Sequence, residues 1–215
     1  YAQGFLGDVE RDLGKYAESA AAYQSALTQL KDPKDAARAT QISTNLAGVL
    51  GSSALSAAEA AKPEDKAAHY AGASTSFQEA LKADPNGPQA GAYRNAWANC
   101  EVAHARALAV AGKNEEAMSH CQAVLTASDQ LSNKAAALDA QWVRGIIEYN
   151  SGKSAEAIKD LTAFIQGAPL TESSSAELRA DRAQALAVLA VLQAQQTPPD
   201  LSAAQASLKA LSAES

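Results

Sequence analysis

A Gly-Lys-x-x-Glu-Ala/Ser block occurs three times in this chain of 215 residues, and each copy is followed by the same helical pattern. The copies are Gly14-Lys15-Tyr16-Ala17-Glu18-Ser19, Gly112-Lys113-Asn114-Glu115-Glu116-Ala117 and Gly152-Lys153-Ser154-Ala155-Glu156-Ala157. Downstream of each, apolar residues return at helical spacing: Tyr23, Ala26 and Leu27; Cys121, Val124 and Leu125; Leu161, Phe164 and Ile165. A unit that recurs over tens of residues marks a stacked repeat, in which each unit covers its apolar face only with its neighbours. Repeats of this kind usually bind rather than catalyse.

About a quarter of the chain is alanine, the strongest helix former, and β-branched or aromatic runs are scarce. No segment reads as a strand; Ile146-Ile147 lies inside a helical pattern. So many small side chains let helices approach closely over long lengths. The fold class is all-α. Prolines punctuate it: Pro33 ends the second helix, Pro63 starts the fourth, and Pro85 and Pro88 bracket a turn with Gly87. Pro169 follows a helix stopping at Gly167, and Pro198-Pro199 open the last one. Lys62-Pro63-Glu64-Asp65, Thr171-Glu172 and Pro199-Asp200 read as N-terminal caps. The segmentation that results is five helix pairs, at about 1–31, 34–84, 88–130, 132–168 and 172–213. The second pair departs most: its long first helix runs to about Ala61, and no glycine turn precedes Lys66-Ala67-Ala68-His69-Tyr70.

The order of these residues resembles the tetratricopeptide repeat. The first unit shows Leu6-Gly7, Gly14, Tyr16, Tyr23, Ala26-Leu27 and Pro33; the second Ala73, Phe77, Ala80-Leu81 and Asp84-Pro85. The third shows Ala105, Gly112, Ala117, Cys121 and Val124-Leu125; the fourth Gly145, Gly152, Ala157, Leu161, Phe164-Ile165 and Pro169. The fifth carries only Ala204, Leu208 and Leu211. The resemblance implies one right-handed α-solenoid domain over residues 1–215, with about five helix-turn-helix repeats. Some first helices are extended, and the first helices line a concave groove. It implies a protein–protein interaction module with a protein or peptide segment as partner and no cofactor.

The formal charge of −6 and the absence of any Lys/Arg cluster argue against nucleic acid as a partner. The longest apolar run, Ala185 to Leu192, is far shorter than the ~20 residues that span a bilayer and reads as a helix buried on most sides. The chain opens at Tyr1 without an initiator Met and already reads as helix there, as a trimmed or processed chain does.

The catalytic inventory is thin, with no phosphate-cradling glycine loop, nucleophile elbow or His-Glu-x-x-His zinc motif. Cys100, His104, His120 and Cys121 gather in one unit. Three readings stand: core residues, a Cys100–Cys121 disulfide pinning two helices, or a Cys/His metal site, the last matching no recognised ligand spacing. Trp142, Ile146 and Tyr149 recur at i, i+4 and i+7 and share a helix face. By the resemblance that face points into the groove, flanked by Asp139 and Asn150, while the preceding unit presents Asn99, Val102 and Arg106. An apolar floor with a few polar groups suits capture of a peptide or helix. The competing reading is that Trp142 and Tyr149 pack against the long helix of the next unit.

Some members of this family grip a C-terminal carboxylate with groove Lys and Asn residues. The corresponding faces here offer Asp8 and Arg11, Gln41 and Asn45, and Asn99 and Arg106, so most of the basic residues such a clamp needs are absent. A final helix carrying Leu201, Leu208 and Leu211 without an obvious polar cap leaves a self-associating structural scaffold, with homo-oligomerisation through that helix, as one alternative; a partner-sensing fragment of a larger enzyme or sensor protein is the other.

Overall fold

A computed structural model describes residues 2–214; Tyr1, where the chain opens, and Ser215 lie outside the described residues. Among the described residues ten α-helices follow one another: α1 (Ala2–Asp12), α2 (Tyr16–Gln29), α3 (Ala36–Ala60), α4 (Pro63–Ala83), α5 (Ala90–Val110), α6 (Asn114–Thr126), α7 (Ala135–Asn150), α8 (Ser154–Gly167), α9 (Ala176–Gln195) and α10 (Leu201–Glu214). Short 3₁₀ turns at Pro33–Asp35 and Ser128–Gln130 complete the regular structure, and the described residues contain no strand. The chain divides into two compact units. Tyr1–Leu108 with Asp129–Asn133 forms the first, and Ala109–Ser128 with Lys134–Ser215 the second. Within each, helices pack on their neighbours in chain order, α1 to α4 in the first and α6 to α10 in the second.

The repeated block is a turn device. Gly14, Gly112 and Gly152 have φ of 72°, 76° and 74°, and no other described residue has a positive φ. A side chain is strained in that left-handed region, so glycine is the residue that lets a helix stop and reverse there. After it, the Lys15 N–H donates to the Glu10 carbonyl and the Lys153 N–H to the Glu148 carbonyl, both at 2.9 Å. These bonds close the preceding helix by satisfying a carbonyl that has no partner within it. The second pair does without such a glycine. There Ala61 and Lys62 are extended (ψ 158° and 153°) and Pro63 supplies the preset first residue of α4.

Counted from the turn glycine, the same places are buried in all three copies. Five residues on lie Ser19, Ala117 and Ala157, and nine on lie Tyr23, Cys121 and Leu161, all fully buried. Twelve residues on, Ala26, Val124 and Phe164 are also buried. Seven residues before the turn, a Cβ on Gly7 would lie 2.5 Å from the Tyr23 ring, and one on Gly145 would lie 2.7 Å from Leu161. The absence of a side chain is therefore what lets the large residue of the second helix seat against the first. Burying Tyr23, Leu161 or Phe164 contributes about 2 kcal/mol each.

In the first unit Tyr23, Ile42 and Val49 form one core, while Phe77, Tyr93 and Cys100 centre another. In the second, Leu161, Phe164, Val188, Leu189 and Leu192 form the centre. The Ala185–Leu192 run sits there inside α9, with only Ala187 and Val191 exposed, and no described helix is long and apolar enough to cross a membrane.

One boundary differs from expectation. Thr171-Glu172 does not cap α9: that helix starts at Ala176, and the Ser175 hydroxyl oxygen accepts the Leu178 N–H at 3.1 Å. Thr171 instead uses its own N–H to bond Ser174 Oγ at 2.8 Å. Three consecutive serines compete for the cap, and the one adjoining the packed helix takes it. At α10 the Asp200 carboxylate accepts the Ala203 N–H at 2.9 Å, a side-chain cap where Pro199-Asp200 was read as one.

Candidate functional site

Two polar constellations stand out, one in each unit. In the first, α1 carries Asp8 and Arg11 one turn apart, and α3 brings Asn45 alongside. Asp8 Oδ1 accepts three bonds: from the Tyr23 hydroxyl at 2.7 Å, Asn45 Nδ2 at 3.2 Å and Arg11 Nη1 at 3.4 Å. Arg11 also holds Asp12 at 2.9 Å. Burial, and the bond to Asp8, raise the Tyr23 hydroxyl well above the ordinary tyrosine range, so it stays a protonated donor. In front of this network is an open pocket of about 220 Å³. Asp8, Arg11, Gln41 and Asn45 line one side, and the α4–α5 turn with Gln89 lines the other. Gln41 and Gln89 are exposed and Arg11 is half-buried, so the pocket offers amides and a guanidinium to whatever enters it.

In the second unit, α7 carries Arg144 and Glu148 four residues apart, facing Asp160 of α8. Arg144 grips Asp160 with two nitrogens: Nε donates to Oδ2, and Nη2 donates to Oδ1 at 2.7 Å. Its Nη1 donates to Gln122 of α6 at 2.9 Å. Such a bidentate pair is strong because planar guanidinium and carboxylate match in shape. Glu148 Oε1 lies 4.0 Å from Arg144 Nε, Oε2 is buried with no donor reaching it, and the carboxyl hydrogen-bonds Asp160 when it carries its proton. Burial and the nearby Asp160 push Glu148 up to about 7. The residue lines a pocket of about 450 Å³ bounded by Met118 of α6, Ile147 of α7 and Lys153 of the following turn.

The residues singled out from the sequence fall as follows. Trp142, Ile146 and Tyr149 do share a face, and that face packs against the α8–α9 core. All three are half-buried there, and the Trp142 indole N–H donates to the Asp181 carbonyl of α9 at 3.0 Å. Val102, at 4% exposure, is buried in core and has no surface to offer a ligand. Of the polar residues in the same set, Asn99 and Asn150 are exposed, and Arg106 and Asp139 are half-buried.

Cys100 and Cys121 are buried thiols, with no disulfide between them. Burial and the adjacent Glu101 push the Cys100 thiol up to about 12, so it holds its proton and is a poor nucleophile at neutral pH. Among the described residues no three His, Cys, Asp or Glu side chains are arranged to hold a metal ion.

Sequence reasoning missed the Arg144–Asp160–Glu148 cluster, and also Arg182. That α9 residue is buried, donates to the Ile165 carbonyl at the end of α8 at 2.7 Å, and clasps Glu214 of α10 at 2.6 and 3.0 Å. It thereby joins three consecutive helices. The one sequence signal for the Glu148 cluster is positional: Glu148 precedes Gly152 as Glu10 precedes Gly14, and Lys153 follows as Lys15 does.

Neither a protein-family model nor a curated protein matches the chain. Among solved structures it is similar to BtubC (BKLC) from P. vanneervenii, at 17% identity, over 97% of this chain and 76% of that one, with a TM-score of 0.48. A likeness of that size supports no conclusion about either fold or activity. The all-α, helical-repeat character described above therefore rests on the chain's own packing.

Proposed function

We propose that this chain is a non-catalytic protein–protein interaction module of tetratricopeptide-like repeats, and that it captures an extended peptide segment in the pocket of the first unit. The observation that carries this reading is the Asp8–Arg11–Asn45 network behind an open cavity flanked by Gln41 and Gln89. An extended peptide presents backbone N–H and C=O groups that need partners once water is excluded. Side-chain amides supply both a donor and an acceptor. Asn45 is tied to Asp8, so part of the entropy of ordering that contact is lost on folding rather than on binding. In this reading Trp142, Ile146 and Tyr149 are packing residues of the second unit and not the floor of the site.

The test is to select peptides from a random display library against the folded protein and measure the best by fluorescence anisotropy. Gln41→Ala/Gln89→Ala is expected to weaken the selected peptide at least roughly tenfold, the effect of losing one to two net hydrogen bonds. Unchanged affinity, with circular dichroism showing both proteins folded, would move the binding surface elsewhere.

A second reading has its own observation. Phe5, Leu6 and Val9 on α1, Leu13 in the turn after it, and Leu201 and Leu208 on α10 are exposed by 40–69%. Apolar faces of this kind suit a self-associating scaffold. Sedimentation over a wide concentration range separates a self-associating scaffold from a monomeric adaptor.

A further inference from the structure

The turn between α4 and α5 reads Asp84-Pro85-Asn86-Gly87-Pro88, and it holds the one asparagine of the chain that is followed by glycine. The other six precede Leu46, Ala96, Cys100, Glu115, Lys134 and Ser151. Asparagine is thermolabile because its side-chain carbonyl carbon and the next backbone nitrogen can close a five-membered ring. A side chain on the following residue crowds that ring, and glycine has none. Helical backbone hinders closure too, since it fixes the dihedrals and ties the nitrogen to a carbonyl four residues back. Five of the other six asparagines lie in helices. Asn86 meets neither hindrance. It is exposed and outside any helix, and the Gly87 N–H has a long bond, 3.4 Å to the Asp84 carbonyl, against 3.0 Å from the Ala90 N–H to the Gly87 carbonyl.

We propose that Asn86 is a site of spontaneous covalent modification, at which the Gly87 nitrogen displaces the side-chain amide. The nitrogen bonds to Asn86 Cγ, the Cγ–Nδ2 bond breaks, and ammonia leaves with the proton that the nitrogen gives up. Water then opens the resulting succinimide at either carbonyl, giving aspartate or isoaspartate. Both products carry a new negative charge, and isoaspartate also lengthens the main chain by one carbon. The change is written onto the rim of the first unit's pocket, which Asp84, Gly87, Pro88 and Gln89 line. The Asp84 carboxylate already rests against Gly87, where an added Cβ would collide with its Oδ2. A second carboxylate two residues along repels the first and shifts the turn that carries Gln89. The pocket is thereby altered one way, as the protein ages. This effect on binding rests on reading that cavity as the peptide site; the chemistry at Asn86 does not.

The test is to hold the folded protein at pH 8 and at pH 5, digest it with an acid protease and follow each asparagine peptide by mass spectrometry. The mass gain of amide turned to acid is expected at Asn86 ahead of every other asparagine. It should be faster at pH 8, where the Gly87 nitrogen loses its proton more readily. Isoaspartate is read separately, as the product that protein isoaspartyl methyltransferase methylates. Asn86→Gln should abolish both signals, because the longer side chain cannot close the same ring. A urea-unfolded sample supplies the rate without the turn. Conversion in the folded protein within about tenfold of that rate upholds the proposal, since an exposed turn opens at little cost. A slower folded rate, or an earlier gain at any other asparagine, overturns it. For the pocket, Asn86→Asp should change the affinity of the display-selected peptide about threefold against Asn86→Gln, the weight of one exposed charge. Equal affinities would strike the effect on binding. The mass measurement uses no peptide, so a failure of the Gln41/Gln89 measurement leaves it untouched.

Discussion

Asp8 and Glu148 are both carboxylates held among helices, one in each unit, and each sits beside an arginine on its own helix. Asp8 is the better served. One of its oxygens takes bonds from Tyr23, Asn45 and Arg11, and the nearby tyrosine is fixed as a donor. Glu148 has its arginine 4.0 Å away and engaged chiefly by Asp160, so no donor reaches its second oxygen and its neighbour there is another carboxylate. A carboxylate with its donors in place ties helices together. One that has lost its arginine to a neighbour is a cost on the folded state, and is pushed toward its protonated form. The first arrangement suits a scaffold that holds a pocket wall still. The second suits a carboxyl that keeps its proton and shares it with Asp160.

The largest effect expected is at the arginine that Asp160 and Glu148 share. Arg144→Met removes the bidentate grip on a side chain only 5% exposed and leaves two carboxyl groups facing each other. It should cost about 3 kcal/mol in urea denaturation. A loss within the few tenths typical of an exposed arginine would show that the cluster holds nothing together. Next comes Asp8→Ala, which strands the buried Tyr23 hydroxyl and the Asn45 amide, for a loss of about 2 kcal/mol. A neutral result there would erase the difference drawn between the two carboxylates.

The smallest effect has the opposite sign. Folded Glu148 titrates at about 7 against 4.5 for the free side chain, so the folded state binds that proton more tightly than the unfolded state. Its contribution is therefore most favourable below about pH 4.5, and is lost as pH rises to about 7. Glu148→Gln should flatten that slope. At pH 8 it should stabilise the protein by about 1 kcal/mol, the relief from burying a charge less the weak contact with Arg144, and the gain should vanish in acid. A destabilised glutamine variant at pH 8 would mean that Glu148 is paired in solution after all.

Much of the architecture was legible before any coordinates, and for local reasons. Gly14, Gly112 and Gly152 each stand where a helix must reverse through a left-handed residue, a demand that acts within a few bonds. The buried places of the three glycine-bearing pairs follow by counting from those glycines, because helical period carries Tyr23, Cys121 and Leu161 to the same side. Where local signals competed, as in the run from Thr171 to Ser175, the start of α9 was misplaced. The candidate sites were harder to read. By sequence, Asp8 and Arg11, Gln41 and Asn45, and Asn99 and Arg106 are the faces of three units and lack the basic residues of a carboxylate clamp. That the first four converge on a cavity depended on how the α4–α5 turn closes against α1 and α3.

What the sequence by itself determined, then, is where helices begin, turn and bury their apolar faces, since those follow from backbone conformation and period. The fate of the charged side chains was decided only by tertiary structure. Glu10 and Glu148 stand in the same frame, four residues before a turn glycine and five before a lysine, and by sequence they are the same residue. Glu10 lies 3.3 Å from its lysine; Glu148 is covered by neighbouring helices beside Arg144 and Asp160, and is pushed toward its protonated form. The difference lies in desolvation and in distances to groups remote along the chain. Those act through space, so no local pattern can encode them.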